Sequence, residues 1–243
     1  MKIDLWKYLV CTQFGHEDEV KKAIESGRVE VNGEVIKNPN FKIDYKKDKV
    51  TVDGVEEKPP KKLVYYAFNK PQKLKMDLSH NKKTKEAILG DILRELPYKV
   101  LPIDTLDYYS EGLMILTNDP ELLTSKANNL EKTYILKVVG RVNNEDLVKM
   151  RKGGKVPSGF FKPKAIRRLS LSKSGKHTFL ELKTNSNKGK LIREFFLRYN
   201  HPILKMKRTK IEKVSLGDLP KLAYRELTKK EIESLKKSEG GNS

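Results

Sequence analysis

A chain of 243 residues with 51 Lys plus Arg against 32 Asp plus Glu, and a net charge of +19, has room for one large domain and a smaller companion. The excess of cations favours a polyanionic partner, because each neutralised phosphate releases counterions. One cysteine, Cys11, excludes a disulfide framework and implies a reducing compartment. No apolar run approaches the ~18 residues of a membrane span, and no signal-peptide core opens the chain, so a cytoplasmic location is expected. His16, His80, His177 and His201 are scattered without ligand spacing, so no metal site is expected. A Gly-rich phosphate fingerprint is absent as well.

Residues 1–57 form the small unit. Leu5 and Leu9 share one helical face, and Val20, Ala23 and Ile24 share another. Glu17, Asp18 and Glu19 suit the positive start of the second helix, and Gly27 closes it. Val29 and Val31, the turn Asn32-Gly33 and then Val35 predict a hairpin, and Val50-Thr51-Val52 with Asp53-Gly54 predicts a further strand and turn. This unit carries nine Lys and one Arg against twelve acids, a net charge of −2, and the remainder therefore carries +21. A nucleic-acid surface is expected mainly on the larger domain.

Residues 58–62, with Pro59-Pro60 between lysines, predict a stiff, solvated linker. The second domain opens with the aromatic strand Leu63 to Phe68, ended by Asn69-Lys70-Pro71, and residues 73–83 predict a basic loop. Lys85 to Leu96 predicts an amphipathic helix stopped by Pro97, and Asn118-Asp119-Pro120 predicts the start of a helix carrying Leu122, Leu123 and Ala127. Strands follow at 131–139 and 179–183, and helices at 143–151 and around Leu191 to Tyr199. Between them lies a basic run with Lys162, Lys164, Arg167 and Arg168 interleaved with Phe160 and Phe161, which suits RNA or simply a solvated loop. Residues 237–243 read as a disordered tail.

The central stretch is Asp104-Thr105-Leu106-Asp107-Tyr108-Tyr109-Ser110-Glu111-Gly112, followed by the apolar run Leu113-Met114-Ile115-Leu116. A polar loop feeding a buried strand can hold a catalytic group rigidly. On its own, Asp107 would read as a turn former. The order Leu-Asp-x-x-Ser-Glu-Gly-Leu, however, resembles the active-site segment of the RsuA-like ribosomal RNA pseudouridine synthases. Further resemblances are Asn69-Lys70-Pro71, Lys132-x-Tyr134, Lys190-Leu191-Ile192-Arg193 with the run from Leu204 to Ile211, and Leu216-Gly217-Asp218-Leu219-Pro220. Residues 1–57, with Gly27-Arg28-Val29-x-Val31-Asn32-Gly33, resemble the alpha-L (S-four-type) RNA-binding module.

The resemblance implies an α+β chain. A small helix-helix-strand RNA-binding domain at 1–57 precedes a catalytic domain at 63–236, which is built on a mixed, mainly antiparallel sheet with flanking helices. It implies isomerisation of a specific uridine, in small-subunit ribosomal RNA by analogy of size, with base flipping, no cofactor, ribosomal RNA or a ribosomal precursor as partner, and a monomeric chain.

Asp107 would then be the catalytic carboxylate, Arg193 its charge partner, and Tyr134 the ring that stacks on the extracted base. The bland reading of Tyr134 is a core aromatic, and that of Arg193 an ordinary surface arginine. Lys70, Ser110, Lys132, Lys190, Arg167 and Arg168, with Lys21, Lys22 and Arg28 in the small unit, are the candidate RNA contacts. Four departures stand against the pattern: Asp104-Thr105 where the family has Gly-Arg, Lys73 for Gly, Glu194 for a basic residue, and the acidic Glu17-Asp18-Glu19. At Lys73 the loop is expected to take another path. The first three departures keep a second reading open, a ribosomal-RNA-binding or assembly factor with the fold and without the chemistry.

Overall fold

The computed structural model describes residues 2–80, 86–124 and 129–237. The first part runs β1 (Lys2–Asp4), α1 (Leu5–Cys11), α2 (Glu17–Glu25), β2 (Val29–Val31), β3 (Glu34–Val35), β4 (Lys42–Asp44), β5 (Val50–Val52) and β6 (Val55–Glu57). After it come β7 (Tyr65–Lys70), α3 (Leu89–Arg94), β8 (Leu101–Pro102), β9 (Glu111–Thr117), β10 (Lys132–Val139), α4 (Asn144–Lys152), β11 (Gly154–Val156) and β12 (Gly159–Phe161). The chain closes with β13 (Ala165–Leu171), β14 (His177–Thr184), α5 (Gly189–Arg198), β15 (Ile203–Ile211), β16 (Val214–Ser215), β17 (Tyr224–Glu226) and α6 (Lys229–Lys237).

The large sheet has the order β13-β14-β10-β15-β9-β7-β17, with β16 on β15 and β8 on β9. β10 pairs antiparallel with β14 and β15, whereas β15 pairs parallel with β9, so the sheet is mixed. The small sheet has the order β3-β2-β5-β6, and β1 pairs with β4.

Packing divides the chain into two compact units. One comprises Met1–Tyr66, Leu74–Asp104 and Ile115–Ala127. Its helices bury Leu5, Leu9, Val20, Ala23 and Ile24, which are the two apolar faces expected from their spacing. Glu19 accepts the His16 N–H at 2.7 Å and so closes the start of α2. Arg94 of α3 is ion-paired to Asp18 and lies 3.5 Å from Glu19. The Gln13 amide exchanges hydrogen bonds with the backbone of Lys99, at 2.9 and 2.8 Å.

The other unit comprises Ala67–Lys73, Thr105–Met114 and Asn128–Ser243. Tyr134, Leu136 and Val138 alternate inward along β10 as a strand's period of two requires, while Ile192, Phe195 and Phe196 form the buried stripe of α5. The Asn143 side chain accepts the Asp146 N–H at 2.7 Å and caps α4.

Several expectations are corrected. The helix expected at 85–96 is only Leu89–Arg94, because Ile88 bridges Lys75 in extended backbone, and residue 85 is outside the described residues. Residues 120–123 form a turn rather than a helix, since Asp119 accepts the Glu121 N–H at 2.9 Å and fixes a local turn. Ala127 lies outside the described residues. So do residues 81–83 of the basic loop and residues 238–243 of the expected tail. At the loop of Lys73 the backbone takes φ +64, a conformation that favours glycine, and the Lys73 N–H donates to Tyr108 O at 2.8 Å. Strand β1 and helix α6 escaped the sequence reading.

Candidate active site

The loop before β9 is folded around one oxygen of Asp107. Oδ1 accepts the Tyr109 N–H and the Ser110 hydroxyl, each at 2.9 Å, and the Ser110 N–H reaches Asp107 O at 3.1 Å. Asp107 is therefore a turn former and something more. Its other oxygen, Oδ2, is buried and accepts no hydrogen bond.

Arg193 comes from the first half of α5. One of its terminal nitrogens donates to Ser110 Oγ at 3.1 Å and lies 3.6 Å from Asp107 Oδ1. The Ser110 hydroxyl thus accepts from the guanidinium and donates to the carboxylate, tying the two charges together in a fixed order. The side chains of Arg193 and Asp107 are 26% and 30% exposed, so a solvated substrate can approach the pair.

Beneath this loop, the buried ammonium of Lys70 donates to the carbonyls of Pro71, Asp107 and Ser110, each at 3.1 Å. It anchors the backbone of the loop instead of facing solvent, which departs from the RNA contact expected of it. Burial pushes its pKa down to about 8; the Asp107 carboxylate opposes that shift and the Arg208 guanidinium adds to it. Lys132 is likewise buried, with its ammonium on the carbonyls of Leu130 and Asn185, both at 3.0 Å. Both lysines position backbone. Neither is free for phosphate.

Tyr134 is 1% exposed and sits opposite Arg208 of β15, which in turn sits opposite Gly112 of β9. One row of the sheet thus joins Tyr134, Arg208 and Gly112, five residues beyond Asp107. Gly112 has φ +112, and a Cβ there would fall 2.2 Å from Arg208 O, so only glycine lets β9 begin this close to β15. A base could reach the Tyr134 ring only after the side chains covering it move aside.

The remaining candidates divide by place. Lys190 is exposed near the start of α5, 3.9 Å from Glu194. Arg167 and Arg168 are exposed on β13; Arg167 pairs with Glu181 at 2.7 Å and Arg168 donates to Val142 O at 3.1 Å. Lys21, Lys22 and Arg28 belong to the other unit, where Lys21 pairs with Glu17 and Arg28 with Asp53, leaving Lys22 exposed. Glu194 accepts the N–H and hydroxyl of Ser158, at 2.8 and 2.9 Å, so it holds the β11–β12 hairpin onto α5. Thr105 is exposed, and Asp104 is buried in the first unit.

Two residues of this site escaped the sequence reading as site residues. Arg208 is fully buried, with its Nε–H on Leu113 O at 2.6 Å, and nothing in its basic neighbourhood Lys205 to Lys210 marked it as interior. Gly189 packs against Asp107, and its only signal is that the apolar stripe of α5 starts two residues later. Among the described residues, no three His, Cys, Asp or Glu side chains are arranged to hold a metal ion.

Comparison with known proteins shows the family and the fold. The sequence pattern of the RNA pseudouridylate synthase family matches residues 64–198, and that of the S4 domain matches residues 18–50. An uncharacterized RNA pseudouridine synthase of Aquifex aeolicus is 33% identical, over 99% of this chain and 96% of that protein. The ribosomal large subunit pseudouridine synthase B of Bacillus subtilis is 30% identical, over 90% of this chain and 89% of its own length. A crystal structure of a pseudouridylate synthase superposes with a TM-score of 0.62 at 22% identity, covering 96% of this chain and 99% of that one, and so shares the fold.

Proposed function

Because the chain belongs to the RNA pseudouridylate synthase family and isomerises uridine in RNA, we propose that Asp107 is the carboxylate that works on the target ribose and that the target lies in ribosomal RNA. The observation that carries this reading is the fixed chain Arg193–Ser110–Asp107. It orients one carboxylate beside a partly open face.

In the reaction the bond between the base nitrogen and C1′ breaks, the uracil turns, and C5 bonds to C1′. The C5 proton is lost and the released nitrogen is protonated, so the product is an isomer of the substrate. Asp107 serves as nucleophile or base at the ribose, and Arg193 is its charge partner at 3.6 Å. The Tyr109 N–H and the Ser110 hydroxyl fix its rotation. Tyr134 stacks on the flipped base once its cover opens. Lys70 holds the loop backbone to which the carboxylate is attached. Nothing in these steps calls for a cofactor.

Residues 1–57 serve as the RNA-binding module, 58–62 as linker and 63–236 as the catalytic domain, in a monomer acting in the cytoplasm. No described helix is long and apolar enough to cross a membrane. The module's contribution to affinity is small, since residues 1–57 carry a net charge of −2.

A small module with little beyond the catalytic domain favours the small ribosomal subunit by analogy only. The Bacillus subtilis relative named for the large subunit spans nearly the same length, so size does not separate the two. The test incubates the protein with transcripts of both ribosomal RNAs and maps pseudouridine by chemically induced reverse-transcription stops. A defined stop in one ribosomal RNA supports the proposal. Conversion only in other RNAs would remove the ribosomal assignment.

A further inference from the structure

The mechanism above leaves Asp107 Oδ2 unexplained. It is buried and accepts no hydrogen bond. Its surroundings are set by Gly189, the first residue of α5. A Cβ built on Gly189 would stand 1.6 Å from Oδ2 and 2.7 Å from Cγ of Asp107, which places the carboxylate oxygen in the space a side chain would fill. The next neighbour, the Met206 methyl at 3.2 Å, is the movable end of a flexible side chain. No left-handed backbone requires a glycine here, because Gly189 is not among the residues with positive φ. The glycine answers to the carboxylate alone.

We propose that Gly189 is a positioning residue for the isomerisation: the missing side chain is the seat of Asp107 Oδ2, and α5 sets the carboxylate from both ends. α5 begins at Gly189, so the positive end of its dipole lies beside Oδ2. One turn later Arg193 engages Ser110 and Oδ1. A single ten-residue helix therefore fixes both oxygens, and any side chain at 189 pushes the carboxylate away from Arg193 and Ser110.

This inference rests on Asp107 being catalytic only for its effect on rate; the steric claim stands on geometry. The experiment is a four-member melting cycle of wild type, Gly189→Ala, Asp107→Ala and the double variant, with steady-state kinetics and RNA binding on the first three. Gly189→Ala should lower the melting temperature when Asp107 is present and leave it level or raised when residue 107 is alanine, because alanine is the better helix former once the clash is gone. Its kcat should fall roughly 100-fold, the cost of about 1 Å of misplacement, with KM and RNA affinity close to wild type. An equal melting loss in both backgrounds, or a kcat within twofold of wild type, would overturn the proposal. Full activity of Asp107→Ala would sink the catalytic assignment and leave the seat to be judged by the melting cycle.

Discussion

Asp107 and Ser110 show how a loop residue becomes a catalytic one without leaving its structural duty. The Ser110 hydroxyl is fully buried, donates to the carboxylate and accepts from Arg193. Ser110→Ala removes a hydrogen bond to a charged group, worth about 1.5–3 kcal/mol, so the isomerisation rate should fall roughly 10- to 150-fold. Single-turnover conversion of a saturating RNA reads this directly.

Lys70 adds a pH dependence of two signs. Its pKa in the folded chain is pushed down to about 8 from 10.5, so between those values the unfolded chain holds a proton that the folded chain has released. The cost of folding around a charged Lys70 is thus full below about pH 8 and is relieved as pH rises through that window, so its contribution to stability increases with pH. Activity should move the other way, because the deprotonated amine donates fewer hydrogen bonds to the three loop carbonyls. A decline in rate with a midpoint near pH 8 that is absent in Lys70→Met is the expected result.

At the level of elements, α5 and α4 were legible because each carries its own signal. The stripe Leu191, Ile192, Phe195, Phe196 has helical spacing, and Asn143 with Asp146 forms a reciprocal cap. Asn143→Ala should cost about 1 kcal/mol of stability, read as a lower denaturant midpoint with an unchanged slope. Where the reading failed, tertiary contacts had overridden local preference. Ile88 is drawn into a bridge with Lys75, shortening α3, and Asp119 spends its side chain on its own turn.

In the site, the motif residues Asp107, Ser110 and Arg193 were readable and do meet. Gly189 and Arg208 were not, since the meaning of a glycine or an interior arginine depends on which backbone lies opposite it. Glu194 reads in sequence as a lost basic contact. In the structure its carboxylate has another occupation, holding Ser158 at the tip of the β11–β12 hairpin.

Across the whole molecule, charge rather than shape gives the broadest constraint. Residues 1–57 carry −2 and the remainder +21, so phosphate contacts belong mainly to the second part. RNA affinity should fall linearly with salt on logarithmic axes. Lys190, exposed and only loosely paired with Glu194, is a good test of a phosphate contact: Lys190→Ala should lessen the slope by about 0.7–0.9. Arg167 is already committed to Glu181, so Arg167→Ala should change the slope less than Lys190→Ala does.

The most direct test replaces one oxygen. Asp107→Asn keeps the shape of the side chain and removes its charge, and wild type and variant are compared on the same ribosomal RNA transcripts for pseudouridine formed and RNA bound. The account predicts that wild type converts its uridine while Asp107→Asn binds the RNA with similar affinity and converts none. Equal conversion by the two proteins would contradict it.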